Sequence, residues 1–118
     1  MGCSKISRWG FYCNNNQLTS LRGAPELVDE DEDFNCSNNK LTSLEGSPKS
    51  VGGSFYCFNN QLTTLEGSPK SVGRGFYCQD NQLTSLHGAP ESVGGDFYCH
   101  NNQLTTLEGS PKSVGRDF

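Results

Sequence analysis

Apolar residues in this chain recur in fixed columns separated by polar runs. Phenylalanine falls at Phe11, Phe34, Phe55, Phe76, Phe97 and Phe118, a period of 21 residues after a first interval of 23. Two places after each of the first five stands a cysteine: Cys13, Cys36, Cys57, Cys78 and Cys99. Leucine pairs follow at Leu18/Leu21, Leu41/Leu44, Leu62/Leu65, Leu83/Leu86 and Leu104/Leu107, and valines at Val28, Val51, Val72, Val93 and Val114. The intervening positions are Asn, Gln, Thr, Ser, Gly and Pro. Repetition at this length marks a solenoid, because one repeat cannot bury its apolar face alone and must stack on the next.

The local pattern predicts the elements. Phe-Tyr-Cys alternates with a period of two, which reads as a short strand with Phe and Cys inward and Tyr outward. The leucines and valines point back into the same core. Gly23 and Pro25, repeated through Gly109 and Pro111, mark the return bend, where glycine permits turns that other residues resist and proline fixes φ. No return is long enough for a helix. The chain thus divides into an N-terminal cap segment, 1–9, in which Ile6 and Trp9 can cover the first rung, and residues 10–118, five repeats of 21 to 23 residues plus the start of a sixth strand at Phe118.

The invariant column Asn16, Asn39, Asn60, Asn81 and Asn102 reads as a staple. Where a strand ends, backbone groups must be paired, and a stacked amide can donate and accept at once. The preceding column, Asn15, Asn38, Asn59, Asp80 and Asn101, is read as similar and nearer solvent.

These residues carry a family resemblance. Phe-x-Cys-x-x-Asn-x-Leu-Thr-x-Leu resembles the leucine-rich-repeat signature Leu-x-Leu-x-x-Asn-x-Leu over residues 10 to 118, and most of all the short repeats met in bacterial and bacteriophage genomes. The departures are Phe and Cys at the usual leucine or valine positions, Gly for a proline after the last leucine, and a slightly longer return. The resemblance implies a β-rich leucine-rich-repeat solenoid: short parallel strands on a concave face, extended or turn-like returns on the convex side, little or no helix. Members of the family usually bind proteins.

Composition changes this picture little. An apolar fraction of 32% with 14 glycines would suit disorder, but the columns overrule that reading. The net charge is −4 with dispersed basic residues, which argues against a nucleic-acid partner. No stretch approaches the roughly 20 apolar residues of a membrane span, and the first residues lack the apolar core of a signal peptide, so a cytoplasmic protein is expected. Cysteines in register on adjacent parallel strands, about 4.8 Å apart, suit neither a tetrahedral metal nor a disulfide. They are expected to be buried free thiols, with Cys3 alone outside the row. The acidic run 29–33 holds the two extra residues of the first interval and reads as a solvated bulge, since it lacks the spacing of a calcium loop. Two histidines, His87 and His100, stand in no repeated catalytic arrangement, and His100 faces away from Cys99 by strand alternation. No enzyme, cofactor or metal site is expected.

The expected working surface is the outward row Tyr12, Asn35, Tyr56, Tyr77 and Tyr98. Beside it runs the one column with five different residues: Asn14, Ser37, Phe58, Gln79 and His100. The column before each Phe, Gly10, Asp33, Ser54, Gly75 and Asp96, completes the patch. Rigid amphipathic tyrosines lose little entropy on binding, and variation placed beside them suits a protein partner of unknown identity. The alternative is a structural protein that stacks head to tail through the rung at Phe118.

Overall fold

The computed structural model describes residues 5–7 and 10–118, the side chains from residue 10 onward. These residues contain eleven short strands and no helix: β1 Lys5–Ser7, β2 Gly10–Tyr12, β3 Leu27–Val28, β4 Asp33–Asn35, β5 Ser50–Val51, β6 Phe55–Tyr56, β7 Ser71–Val72, β8 Phe76–Tyr77, β9 Ser92–Val93, β10 Phe97–Tyr98 and β11 Ser113–Val114. Sheet A has the order β1-β2-β4-β6-β8-β10. All its pairs are parallel and in register, Phe on Phe, except that β1 pairs antiparallel with β2. The N-terminal segment therefore extends sheet A through β1. Trp9 and Cys3 lie outside the described residues.

The returns were read as extended or turn-like, and they are more ordered than that. They pair into a second parallel sheet, B, with the order β11-β9-β7-β5-β3 and the register Ser on Ser, Val on Val. Two residues per strand give no alternation long enough to announce a sheet, but the constant period places each Ser-Val pair beside its copies.

Between the sheets the inward columns meet. Phe34, Phe55, Phe76 and Phe97 are fully buried, as are the leucine pairs from Leu41/Leu44 to Leu83/Leu86. Phenylalanine rings stack from Phe11 through Phe118 with centroids 5.2 to 5.6 Å apart. Each fully buried Phe or Leu contributes about 1.5–3 kcal/mol of transfer free energy, so a thin core suffices when every rung repeats it.

The asparagine column is the polar half of the core. Asn60 Oδ1 accepts the N–H groups of Asn39 and Leu41, both at 3.1 Å, while its Nδ2 donates to the Cys36 and Cys57 carbonyls. Asn39 and Asn81 repeat this clamp on their own neighbours. The preceding column lies nearer solvent, with Asn59 Nδ2 donating to Asn38 Oδ1 and Asn101 Nδ2 to Asp80 Oδ1, and it has a further task beyond the one read in the sequence. Asn15, Asn38, Asn59, Asp80 and Asn101 all have φ between 55° and 60°. This left-handed conformation is one that Asn and Asp tolerate best among residues with a Cβ. The column's restriction to Asn and Asp was the available signal. In the bend, Gly67 has φ of 90°, and a Cβ there would meet the Leu44 backbone at 2.6 Å, so only glycine fits.

The thiol row departs from expectation at one end. Cys36, Cys57, Cys78 and Cys99 are free, but Cys13 is disulfide-bonded. The spacing argument holds for neighbours within the row, and it did not cover a bond reaching outside it. The acidic segment turns at Asp31, whose φ is 64°, with Glu32 N–H donating to Asp29 O.

Candidate functional site

The outer face of sheet A carries the residues that the sequence pattern singles out. Strand alternation turns Tyr12, Asn35, Tyr56, Tyr77 and Tyr98 away from the core, and all but Tyr98 are half-buried among their neighbours. Tyr56 and Tyr77 stack with centroids 4.8 Å apart and planes within 6°. Tyr98 breaks the stack, meeting Tyr77 edge-on at 5.0 Å and 83°. The tyrosines thus support one another and still present a continuous edge, because offset and edge-to-face contacts both leave part of each ring uncovered.

The second column is less uniform in exposure than in position. Phe58 packs edge-on against Tyr56 at 6.4 Å, and His100 lies 6.0 Å from Tyr98. Asn14 and Gln79 are half-buried. The Gln79 Oε1 is buried without a hydrogen-bond partner among the described residues. Ser37 does not reach the surface: it is 1% exposed, and its hydroxyl and N–H both donate to Asn35 Oδ1. Asn35 and Ser37 therefore close on each other and divide Tyr12 from the aromatic block Tyr56, Phe58, Tyr77 and Tyr98.

Acids border the row on one side. Burial, then the charge of Asp33, hold the Tyr12 hydroxyl above its ordinary pKa, and a hydrogen bond with Asp33 adds to this. Burial, then Tyr56 and Asp96, raise that of Tyr77. Both remain neutral hydroxyls, able to donate as well as accept, at physiological pH.

Among the described residues of this face, no nucleophile is paired with a base. His100 is exposed while the neighbouring Cys99 turns inward, and burial pushes the thiols of Cys36, Cys57, Cys78 and Cys99 up. A thiol with a raised pKa is a poor nucleophile at neutral pH. Among the described residues no three His, Cys, Asp or Glu side chains lie close enough to hold a metal ion, and no helix is long and apolar enough to cross a membrane.

Two parallel sheets wound from five successive rungs make the chain a parallel β-solenoid. No protein-family model, curated protein or solved structure matches it.

Proposed function

We propose that this solenoid is a non-enzymatic protein-binding module of the leucine-rich-repeat type, which presents the outer face of sheet A to a protein partner. The observation that carries this reading is the coupled aromatic block Tyr56, Phe58, Tyr77 and Tyr98 on a rigid sheet. Aromatic anchors fixed before binding are the residue type that dominates interface energetics. The repeat signature and the asparagine clamp at the end of each strand support the family assignment. A photo-crosslinking residue placed at Phe58, and in a second variant at Glu66 in the bend, tests the proposal in the native cell. One protein should be captured from position 58 and not from 66, and the triple variant Y56A/F58A/Y77A, with its crosslinker at Gln79, should lose it. Equal capture from both faces, or capture that survives the triple variant, overturns the assignment.

A second reading, self-association through the rung at Phe118, is favoured by one observation. Phe118 continues the ring stack yet is 53% exposed, and Leu107 is 59% exposed. Light scattering across a wide concentration range separates the two: a constant mass near 12.9 kDa supports the binding module, and growth into rods supports stacking. The free thiols of Cys36, Cys57, Cys78 and Cys99 support a cytoplasmic setting, whereas the bonded Cys13 argues against it. Thiol counting on protein alkylated within its native cells decides the matter: a trapped Cys13 thiol places the chain in a reducing compartment.

A further inference from the structure

The column before each sheet A phenylalanine forms a relay in which a side chain accepts the N–H of the next rung. Asp33 Oδ1 accepts from Ser54 N–H at 2.8 Å, Ser54 Oγ from Gly75 N–H at 3.2 Å, and Asp96 Oδ1 from Asp117 N–H at 3.1 Å. Gly75 has no side chain to continue it, so the Asp96 N–H has no acceptor among the described residues. In place of a side chain stands the Tyr77 ring: a Cβ added at Gly75 would lie 2.5 Å from Tyr77 Oη.

A cavity of about 400 Å³ opens at this break, lined by Ser54, Gly75, Tyr77, Asp96, Arg74 and Arg116 together with Gly73, Gly94 and Gly95. The two arginines belong to one row. Gly95 N–H donates to Arg74 O and Arg116 N–H to Gly95 O, so a glycine separates them and leaves the space between open. Two rungs at the strand spacing set them about 10 Å apart. Arg74 reaches Asp31 at 2.6 Å, both side chains being largely exposed. Asp31 belongs to the bulge of the first interval, which no later rung repeats, and Arg116 has no carboxylate within ion-pair distance among the described residues.

We propose that this cavity is an oxyanion site, sized for a phosphate or sulfate group, with the Arg116 guanidinium, the open Asp96 N–H and the Tyr77 hydroxyl as its donors. Arg74 adds charge at the opposite rim, since its contact with Asp31 occupies one of five guanidinium N–H donors. Planar guanidinium groups and backbone N–H groups are the usual ligands of such ions. The Asp96 carboxylate opposes an anion here and limits the affinity, and its own Oδ1 is already engaged by the Asp117 N–H. The cavity shares Tyr77 with the proposed binding row, yet it needs no protein partner to be filled, so either reading can fail without the other.

The test is an NMR titration of ¹⁵N-labelled protein with inorganic phosphate at constant ionic strength, with sodium chloride as the control. The Asp96 amide and the Arg116 Nε–H should shift saturably, with a dissociation constant on the order of 1–10 mM. Arg116→Gln, at an exposed position, should weaken binding by about tenfold or more, as removal of a charged donor does. Gly75→Ser should abolish it, because its Cβ displaces the Tyr77 ring from the cavity and its hydroxyl can accept the Asp96 N–H, and Asp96→Asn should tighten it. Phenyl phosphate binding as well as the free ion would identify an ester-borne group as the ligand, and binding of inorganic phosphate alone would identify the free ion. Shifts that grow linearly without saturation, that chloride reproduces, or that Arg116→Gln leaves unchanged overturn the proposal.

Discussion

Two rows of side chains flank the phenylalanine of each sheet A repeat, and they differ in how completely they serve the neighbouring rung. The row that follows the phenylalanine is asparagine in all five repeats, and each inner member clamps backbone groups of two rungs. The row that precedes it runs Gly10, Asp33, Ser54, Gly75 and Asp96, and its relay fails at Gly75. Both rows face the same need, to satisfy a backbone N–H where the ladder stops. The difference lies in how many groups depend on one side chain. Asn60 accepts two N–H groups and donates to carbonyls of two rungs, whereas Asp33, Ser54 and Asp96 each accept one backbone N–H. The N–H that Gly75 leaves open belongs to the half-buried Asp96, where water or a ligand can meet it. Uniformity is demanded where several buried groups share one partner, and variation is permitted where a single group does.

Breaking the buried row should have the largest effect. Asn60→Ala strands the N–H groups of Asn39 and Leu41, while the Cys36 and Cys57 carbonyls keep their bonds from Asn39 and Asn81. The substitution should cost roughly 2–6 kcal/mol at about 1–3 kcal/mol per unmet buried group. Urea denaturation measures it, and a loss no larger than that of Asn16→Ala would deny the clamp its role, since Asn16 is exposed and its Oδ1 accepts nothing among the described residues.

Alkaline pH attacks the same layer from within. Burial raises the pKa of Cys36, Cys57 and Cys78, so the folded chain holds these protons more tightly than the unfolded one. The stability they provide is complete below the unfolded thiol pKa of about 8.5 and is lost as pH rises above it, by up to about 1.4 kcal/mol per thiol per pH unit. Melting temperatures recorded from pH 7 to 10.5 under reducing conditions should stay level on this account to about pH 8.5 and then fall steeply. A flat profile to pH 10.5 would mean that the thiols titrate as exposed groups.

The broken row should respond more weakly. Ser54→Ala removes the acceptor of the buried Gly75 N–H and should cost about 1–3 kcal/mol, one unmet group where Asn60→Ala leaves two. A loss matching that of Asn60→Ala would erase the distinction drawn between the rows. The smallest effect belongs to Arg74→Gln. Its ion pair with Asp31 is exposed on both sides, and the change should stay within about 0.5 kcal/mol and shrink further in salt.

Much of the architecture was legible because period and register are the same information in a solenoid. Once Phe34, Phe55 and Phe76 recur at 21 residues, each must lie on its copy, and the inward columns follow. Sheet B was not legible, since a strand of two residues carries no alternation, and only pairing with its copies makes Ser71–Val72 a strand. The outward position of the tyrosines followed from alternation, but the edge-on turn of Tyr98 and the closure of Ser37 onto Asn35 depend on side-chain rotation, which spacing does not encode. The break at Gly75 was visible as a letter in a column. Its meaning depended on knowing that the neighbouring letters accept a hydrogen bond from the next rung.

The asparagine clamp also has a direction. The Oδ1 of each inner asparagine accepts from the rung before it, so a rung emerging from the ribosome remains incomplete until its successor arrives and finishes it. Synthesis from the N-terminus therefore zips the coil in order, with every closure spanning about one repeat. Because these bonds join adjacent rungs, a gene could insert or delete whole repeats and disturb little beyond the junction. Length in such a protein is an evolutionary variable that can drift or be selected apart from the fold.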